Sequence, residues 1–590
     1  MNNPFSVVTP ENITSDEIKN MFVESTDFKN LEKKGHTFIH GHRGCGKSMA
    51  LQALRTKHYM KFRNINYINE VPFICMYIPI KRSVLATIEL ERLKNDVLEK
   101  YFAEHMLCLH FAINICKELI DLIEKESLDI NEKEIELFTN RIKLLGFEIN
   151  YSNKDNFIKE LFNLFEMQWT KDNLIRRKIS LIKNHEEIIE PEIFTSYHDF
   201  LLPLIKFLKK LDLNNKLDKD IYLLVDDADN LPTIFTETLN EWILYRDTDS
   251  FSFKISTQLK YKTYRTISNN RIEKPHDYSE IVFSYVVSSQ KKRDYYKFIK
   301  DIVERRLKTI NIESDAQTFL PEKESQVTEI EKIKENYREA WRKGEGRGNQ
   351  ESDDANRYSR PDYIKMLSSK KQKAHYSYSG FRQLVNISSG IVRHFLEPLS
   401  KMYEEQKVKN NGEAIIKIDD NIQNIIIRNE SIDFFKEQFE HLEKEVDKND
   451  IHEEKIKKLK NLITVLGENF HEILLSDLSE RRVFSFTISD DSNVDKELKE
   501  ILKLAVEYGF LYESKIGKKS SSGRTELYIL ARLLAPYFTL DPNGFSGYQS
   551  LTTEWLKEAL LNSNLKLKKL VQDDNISLKN IQPTDRKSVV

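Results

Sequence analysis

Two short stretches carry residues whose types and spacing could do phosphate chemistry. The first is HTFIHGHRGCGKSMA at 36–50, in which residues 41–48 match G-x-x-x-x-G-K-S. Glycines at 41, 44 and 46 let a backbone wrap an anion with its N–H groups. A helix over 48–58 would point its positive end at the same anion. Lys47 can reach β and γ phosphates, and Ser48 can place a hydroxyl on magnesium. The candidate nucleotide contacts here are Gly41, Gly44, Cys45, Gly46, Lys47, Ser48 and Met49. Cys45 reads either as loop filler or as a thiol that makes the site sensitive to modification. A glycine turn with an incidental lysine is the bland alternative. It leaves unexplained the apolar stretch before the loop and the amphipathic MALQALRTKHYMKF after it.

The second stretch is KDIYLLVDDADN at 219–230. Residues 221–225 read as a buried strand with Asp226 and Asp227 at its carboxyl end, where parallel sheets bind ligands. Asp226 can hold magnesium, directly or through water, and Asp227 can orient an attacking water and accept its proton. Adjacent acids after a strand also occur as plain turn residues. The phosphate loop upstream is what favours the chemical reading. A third strand, FSFKISTQ at 251–258, ends in Ser256, Thr257 and Gln258, and Thr257 is the candidate sensor of a γ phosphate. Arg265, Arg271, Arg305 and Arg306 could reach a neighbouring subunit's nucleotide or be ordinary surface charges. Arg393, in the first turn of a helix after Ser388-Ser389-Gly390, could point at the nucleotide of its own chain or pair with an acid on its helix.

Positioning these residues takes a sheet. Near-continuous apolar runs at 36–40, 71–80, 221–225 and 251–258, and a last one at 281–287, suit parallel strands covered on both faces. Residues 83–215 form a large, mostly helical insertion between strands. Asn3-Pro4-Phe5 and a capped helix at 15–22 precede the loop and either close over an adenine or wrap the domain. The charged run at 312–375 predicts a helix and then a mobile or partner-ordered segment near 343–357. Residues 379–403 give two helices, 410–428 are open between helix and strand, and 431–464 form charged helices. At 465–540 helices lead to two strands around a basic turn with Lys515, Lys518, Lys519 and Arg524 at its tip, a winged-helix pattern. Such a wing can touch DNA phosphate or bind protein. Residues 541–590 hold a helix and a polar tail.

Composition bounds the rest. The 590 residues are 40% hydrophobic and 31% charged, with a net charge of -2. Roughly three or four domains are expected. The whole-chain field does not draw nucleic acid, which leaves only a local basic patch. Four cysteines without a C-x-x-C pair predict neither zinc nor a disulfide framework and fit a reduced, cytoplasmic setting. The amino terminus lacks the pattern of a signal peptide, and no apolar run of ~18 residues predicts a membrane span.

Taken together, GHRGCGKS at 41–48, IYLLVDDAD at 221–229, FKISTQ at 253–258, SGIVRHFLE at 389–397 and the trailing winged-helix-like segment resemble AAA+ ATPases of the origin-recognition and replication-licensing type, including bacterial relatives in phage-defence loci. The resemblance covers roughly 1–310 and 375–540 and adds the opening NPF as an adenine-side segment. It implies an α/β P-loop NTPase sheet with a helical insertion, a helical lid and a C-terminal winged-helix-like domain. The implied division is a 1–310 ATPase core with its insertion at 83–215, a partly flexible 311–375, a lid and charged helices at 376–464, a winged-helix-like 465–545 and a terminal 546–590. It implies ATP and Mg2+ as cofactors, with Lys47, Asp227 and Arg393 catalytic, Ser48 and Asp226 on the metal, and Thr257 and Arg393 as first and second sensors. The expected function is an ATP-hydrolysing switch, slow or partner-activated, that controls assembly or an effector in antiviral defence. A DNA-binding initiator or loader and a nucleotide-bound scaffold with little turnover are the rival readings. Expected partners are a homo-oligomer or an effector protein, with DNA at the wing and no membrane. The usual Asp-Glu pair is Asp226-Asp227 here, and the insertion and the 312–375 segment exceed a plain initiator.

Overall fold

Parallel strands β1 (Thr37–His40), β2 (Phe73–Pro79), β3 (Asp220–Asp226), β4 (Phe251–Thr257) and β5 (Ser279–Val282) form one sheet in the order β2-β3-β4-β1-β5. This is the AAA+ P-loop fold. In this computed structural model the chain divides into two units, Val8–Ser284, which holds that sheet, and Met1–Val7 with Tyr285–Val590. The structure describes all residues except 1–2, 8, 82–84, 86–95, 125, 127, 152, 182–192, 259–260, 284–288, 347, 370–374, 445–452, 479, 491–492, 518–523, 544–546 and 567–590.

The sheet is buried on both faces, which is why its strands read as apolar runs. Alternation sorts the side chains. Ile39, Phe73, Cys75, Tyr77, Tyr222 and Leu224 join the cluster around helices Lys47–Leu54 and Thr56–Arg63. Phe38, Ile74, Met76, Val225, Phe253 and Ile255 join the larger cluster that includes helix Asp96–Ile123. Because β1 lies between β4 and β5, the chain leaves β1 and re-enters the sheet at its far edge, β2. That reversal opens a crevice at the carboxyl ends of the strands, where such sheets take ligands. The single helix expected over 48–58 is broken at Arg55, whose backbone is extended at φ -53, ψ 127. The last strand is shorter and earlier than expected, and part of the 281–287 run lies outside the described residues.

Within the insertion, helices Glu132–Leu144, Phe157–Leu181 and Leu202–Lys209 pack with helix Asp96–Ile123. A buried polar tie closes it: His105 lies between Asp172 Oδ2 at 3.0 Å and Thr195 Oγ1 at 2.9 Å.

The second unit is mostly helical. Residues 343–357, expected to be irregular, regain helix from Glu351, and the helices Glu324–Arg342 and Glu351–Ser369 form a hairpin. Tyr337 and Tyr358 pack ring to ring between them. The undecided 410–428 resolves into a loop and helix Asp420–Lys444. Further on, β6 (Val483–Ile488), β7 (Leu511–Gly517), β8 (Arg524–Leu530) and β9 (Gly547–Leu551) form a sheet in the order β7-β8-β6-β9. β7 and β8 are an antiparallel hairpin, and helix Lys496–Glu507 precedes it. The amino-terminal residues also belong here. Phe5 is fully buried between the rings of Phe319 and Tyr403. Its ring is therefore core, not a free adenine platform. Arg306 is buried rather than a surface charge, and it donates to the carbonyls of Pro4 and Ser6.

Candidate functional site

The loop after β1 is shaped by glycines at two left-handed positions. Gly44 has φ 84, and Gly46, the residue before helix Lys47–Leu54, has φ 101. A side chain there would strain the turn. Gly41 is required for a different reason. A Cβ on it would meet Cys45 Sγ at 2.6 Å and the carbonyl oxygen of Phe283 at 2.8 Å. Cys45 is thus loop filler: its buried side chain joins the core beneath the loop, and burial raises its thiol pKa despite nearby Lys47. Met49 packs against the same core.

Lys47 is buried and donates to the carbonyls of Gly41 at 2.9 Å and His42 at 3.1 Å. Ser48 donates to Asp226 Oδ1 at 3.2 Å. β3 ends on Asp226, and Asp227 follows in the left-handed region at φ 57, where it opens a short helical turn. The N–H of Asp227 donates to Ser256 Oγ at 2.9 Å and Asp226 Oδ1 at 3.1 Å. The Asp227 side chain is left outward. Partial desolvation, then the charges of Asp226 and Asp229, push its carboxyl up to about 6, against the pull of Lys47 and Arg43.

Two groups bonded to Asp226 are not assigned to it by the sequence. Tyr77 donates its phenol to Oδ2 at 2.7 Å, and Ser256 donates its hydroxyl to Oδ1. Tyr77 has no motif, and FKISTQ does not say that Ser256 meets Asp226. Only the pairing of Pro79 with Asp226 and of Val225 with Ile255 brings them there. Thr257 is placed by the same alternation. It lies on the face shared with Ile255, opposite Ser256, and its buried hydroxyl has no hydrogen-bond partner among the described residues. Ser256, not Thr257, is therefore the β4 hydroxyl on the acidic pair.

Ser48 and Asp226 offer hard oxygen donors to magnesium, which fits that ion. Among the described residues no group of three or more His, Cys, Asp or Glu could hold a metal. Phosphate oxygens and water would have to complete the coordination shell.

In the second unit, Arg393 stands in the first turn of helix Val392–Lys409 and pairs with Glu397 at 3.6 Å. Lys515 and Arg524 are exposed on the β7–β8 hairpin, while Lys518 and Lys519 lie outside the described residues. Lys499 and Lys503, which the sequence reading passed over, are exposed on helix Lys496–Glu507. Two of the three acids of that helix are engaged by helix Glu453–Leu475, Glu497 by Lys458 at 2.7 Å and Glu500 by Lys455 at 2.9 Å, while Glu507 is exposed.

A family profile described as ORC-CDC6-like matches residues 3–551. The chain belongs to the ORC-CDC6-like family. It is accordingly a AAA+ ATPase-type protein, and the sheet order and the loop after β1 are that family's nucleotide fold. The crystal structure of Cdc6p from Pyrobaculum aerophilum aligns over 89% of this chain and 98% of its own, at 13% identity and a TM-score of 0.24. No curated protein matches the sequence. No helix among the described residues is long and apolar enough to cross a membrane.

Proposed function

We propose that this ORC-CDC6-like protein binds and hydrolyses ATP, and that its nucleotide state is read as a conformational switch. The observation that carries the reading is the meeting of Ser48 Oγ and Asp226 Oδ1 at 3.2 Å beside Lys47, with Asp227 next in the chain. The N–H groups of the loop and the start of helix Lys47–Leu54 would cradle the phosphates, and Lys47 would exchange its carbonyl partners for phosphate oxygens. Magnesium, held by Ser48 and Asp226, would neutralise charge on the β and γ phosphates. Asp227 would orient water and take its proton. With a carboxyl titrating near 6, it is largely ionised at neutral pH and still a usable base. Asp227→Asn should lower phosphate release roughly 10²–10⁴-fold while leaving ATP binding intact. Unchanged release would exclude Asp227 as the base and favour a scaffold with little turnover.

A second feature supports a DNA contact as the readout. We read the helix Lys496–Glu507 and the β7–β8 hairpin as a winged helix whose outward cations are Lys499, Lys503, Lys515 and Arg524. The ion pairs of Glu497 and Glu500 draw two carboxylates toward Lys458 and Lys455 and leave Lys499 and Lys503 exposed to meet phosphate. A second-sensor role for Arg393 is proposed from the resemblance alone. Assembly with further copies or an effector, including the antiviral role, is proposed from the resemblance together with the large insertion. A change in molecular size between ATP and ADP tests it, and one unchanged monomer in both would count against it.

A further inference from the structure

Asp226 is gripped from both sides by strands that the phosphate-loop motif does not include. Tyr77 on β2 donates to Oδ2 at 2.7 Å, and Ser256 on β4 donates to Oδ1. Hydroxyls acting on different oxygens remove the carboxylate's freedom to rotate. The edge left facing Ser48 is Oδ1, at 3.2 Å.

Tyr77 is itself fixed. Its side chain is buried, and the Arg55 guanidinium lies over its ring at 5.9 Å. Arg55 is anchored in turn to Glu118 of helix Asp96–Ile123, through Nε at 2.6 Å and Nη2 at 2.5 Å. A buried carboxylate needs hydrogen bonds wherever it sits, so a purely structural phenol has to be considered. Asp226 already accepts from Ser256, Ser48 and the N–H of Asp227, all on Oδ1. The phenol adds the constraint those three lack, a fixed Oδ2.

We propose that Tyr77, with Ser256 opposite it, is a positioning residue for magnesium-bound nucleotide: the pair sets which edge of Asp226 is presented to the ion. This rests on the ATP reading of the site. Outer groups that orient a metal ligand typically contribute about 10–100-fold in metal affinity. The helix Asp96–Ile123, through Glu118 and Arg55, becomes the outer support of the same clamp.

The test is a fluorescence titration of the full chain with a labelled ATP analogue, in EDTA and across a series of magnesium concentrations. Tyr77→Phe keeps the ring and removes the hydroxyl. It should leave affinity in EDTA within about twofold and raise the half-saturating magnesium concentration about tenfold or more. Ser256→Ala should shift the magnesium dependence in the same direction, and Ser256→Thr, which keeps a hydroxyl, should restore it. If Tyr77→Phe fails to fold, as judged by thermal melting without nucleotide, the Ser256 pair decides. Wild-type magnesium dependence in Tyr77→Phe or Ser256→Ala, or equal losses with and without magnesium, would overturn the clamp. Binding in Lys47→Ala that equals wild type would instead overturn the ATP reading beneath it.

Discussion

Lys47 and Lys515 are both lysines proposed to meet phosphate, and the protein treats them in opposite ways. Lys47 is 6% exposed and spends its ammonium on two carbonyls of its own loop. Lys515 is exposed on a hairpin and, like Lys499, Lys503 and Arg524, has no ion pair among the described residues. Around Lys47, every polar neighbour that matters is bonded to another: Ser48, Ser256 and Tyr77 all converge on Asp226. Lys515 stands in register with Glu526 across the hairpin, and no hydrogen bond among the described residues ties its ammonium down. A buried, mutually bonded set discriminates by shape and metal, whereas an exposed set of like charges acts through the field it casts and is screened by salt. The first region should therefore be intolerant of single-atom changes, and the second should respond to charge added or removed in bulk.

The sharpest way to break that contrast is a single methyl group. Gly41→Ala places a Cβ against both Cys45 Sγ and the Phe283 carbonyl oxygen. It should weaken ATP binding roughly 100-fold, about 3 kcal/mol of misfit. Adding Cys45→Ala should not rescue it, because the backbone carbonyl remains in the way. Rescue would show that the loop yields more easily than its contacts suggest.

At the exposed end, replacing Lys499, Lys503, Lys515 and Arg524 together by glutamine should flatten the salt dependence of duplex DNA binding by about 3–4 in log–log slope. Each single replacement should have a small effect. A single replacement that abolished binding would make this surface a built site like the first, and an unchanged slope would remove DNA from the hairpin.

A smaller effect concerns pH. Asp227 must be ionised to act as a base, and its carboxyl is pushed up to about 6. Phosphate release should be flat above that value and fall about tenfold for each pH unit below it. An ordinary carboxylate would move the break toward pH 4. The smallest expected effect is none. All four cysteines are buried, and burial raises the Cys45 thiol pKa. Thiol reagents should leave the folded protein, and its ATP binding, unaltered.

How much of this was legible in the sequence follows from what each feature needs. The strand, loop and helix around 41–48 and the acids after β3 are local, so spacing and apolar runs located them. Tyr77 and Ser256 are distant in sequence, and only strand register brings them to one carboxylate. Ser256 and Thr257 are told apart only by register, because one residue along a strand reverses the side chain. Arg306 could read as a surface charge, and Phe5 as an adenine-side or wrapping residue, since their partners lie hundreds of residues away. β9, of sequence GYQSL, has no apolar run of its own and is strand because it pairs with β6.

The account stands on residues 41–48 being an ATP site. Equilibrium titration of wild type and Lys47→Ala with a fluorescent ATP analogue in magnesium tests that most directly. Loss of the Lys47 charge should weaken binding roughly 100-fold, while both proteins melt at similar temperatures. Equal affinity in two equally folded proteins would contradict the account.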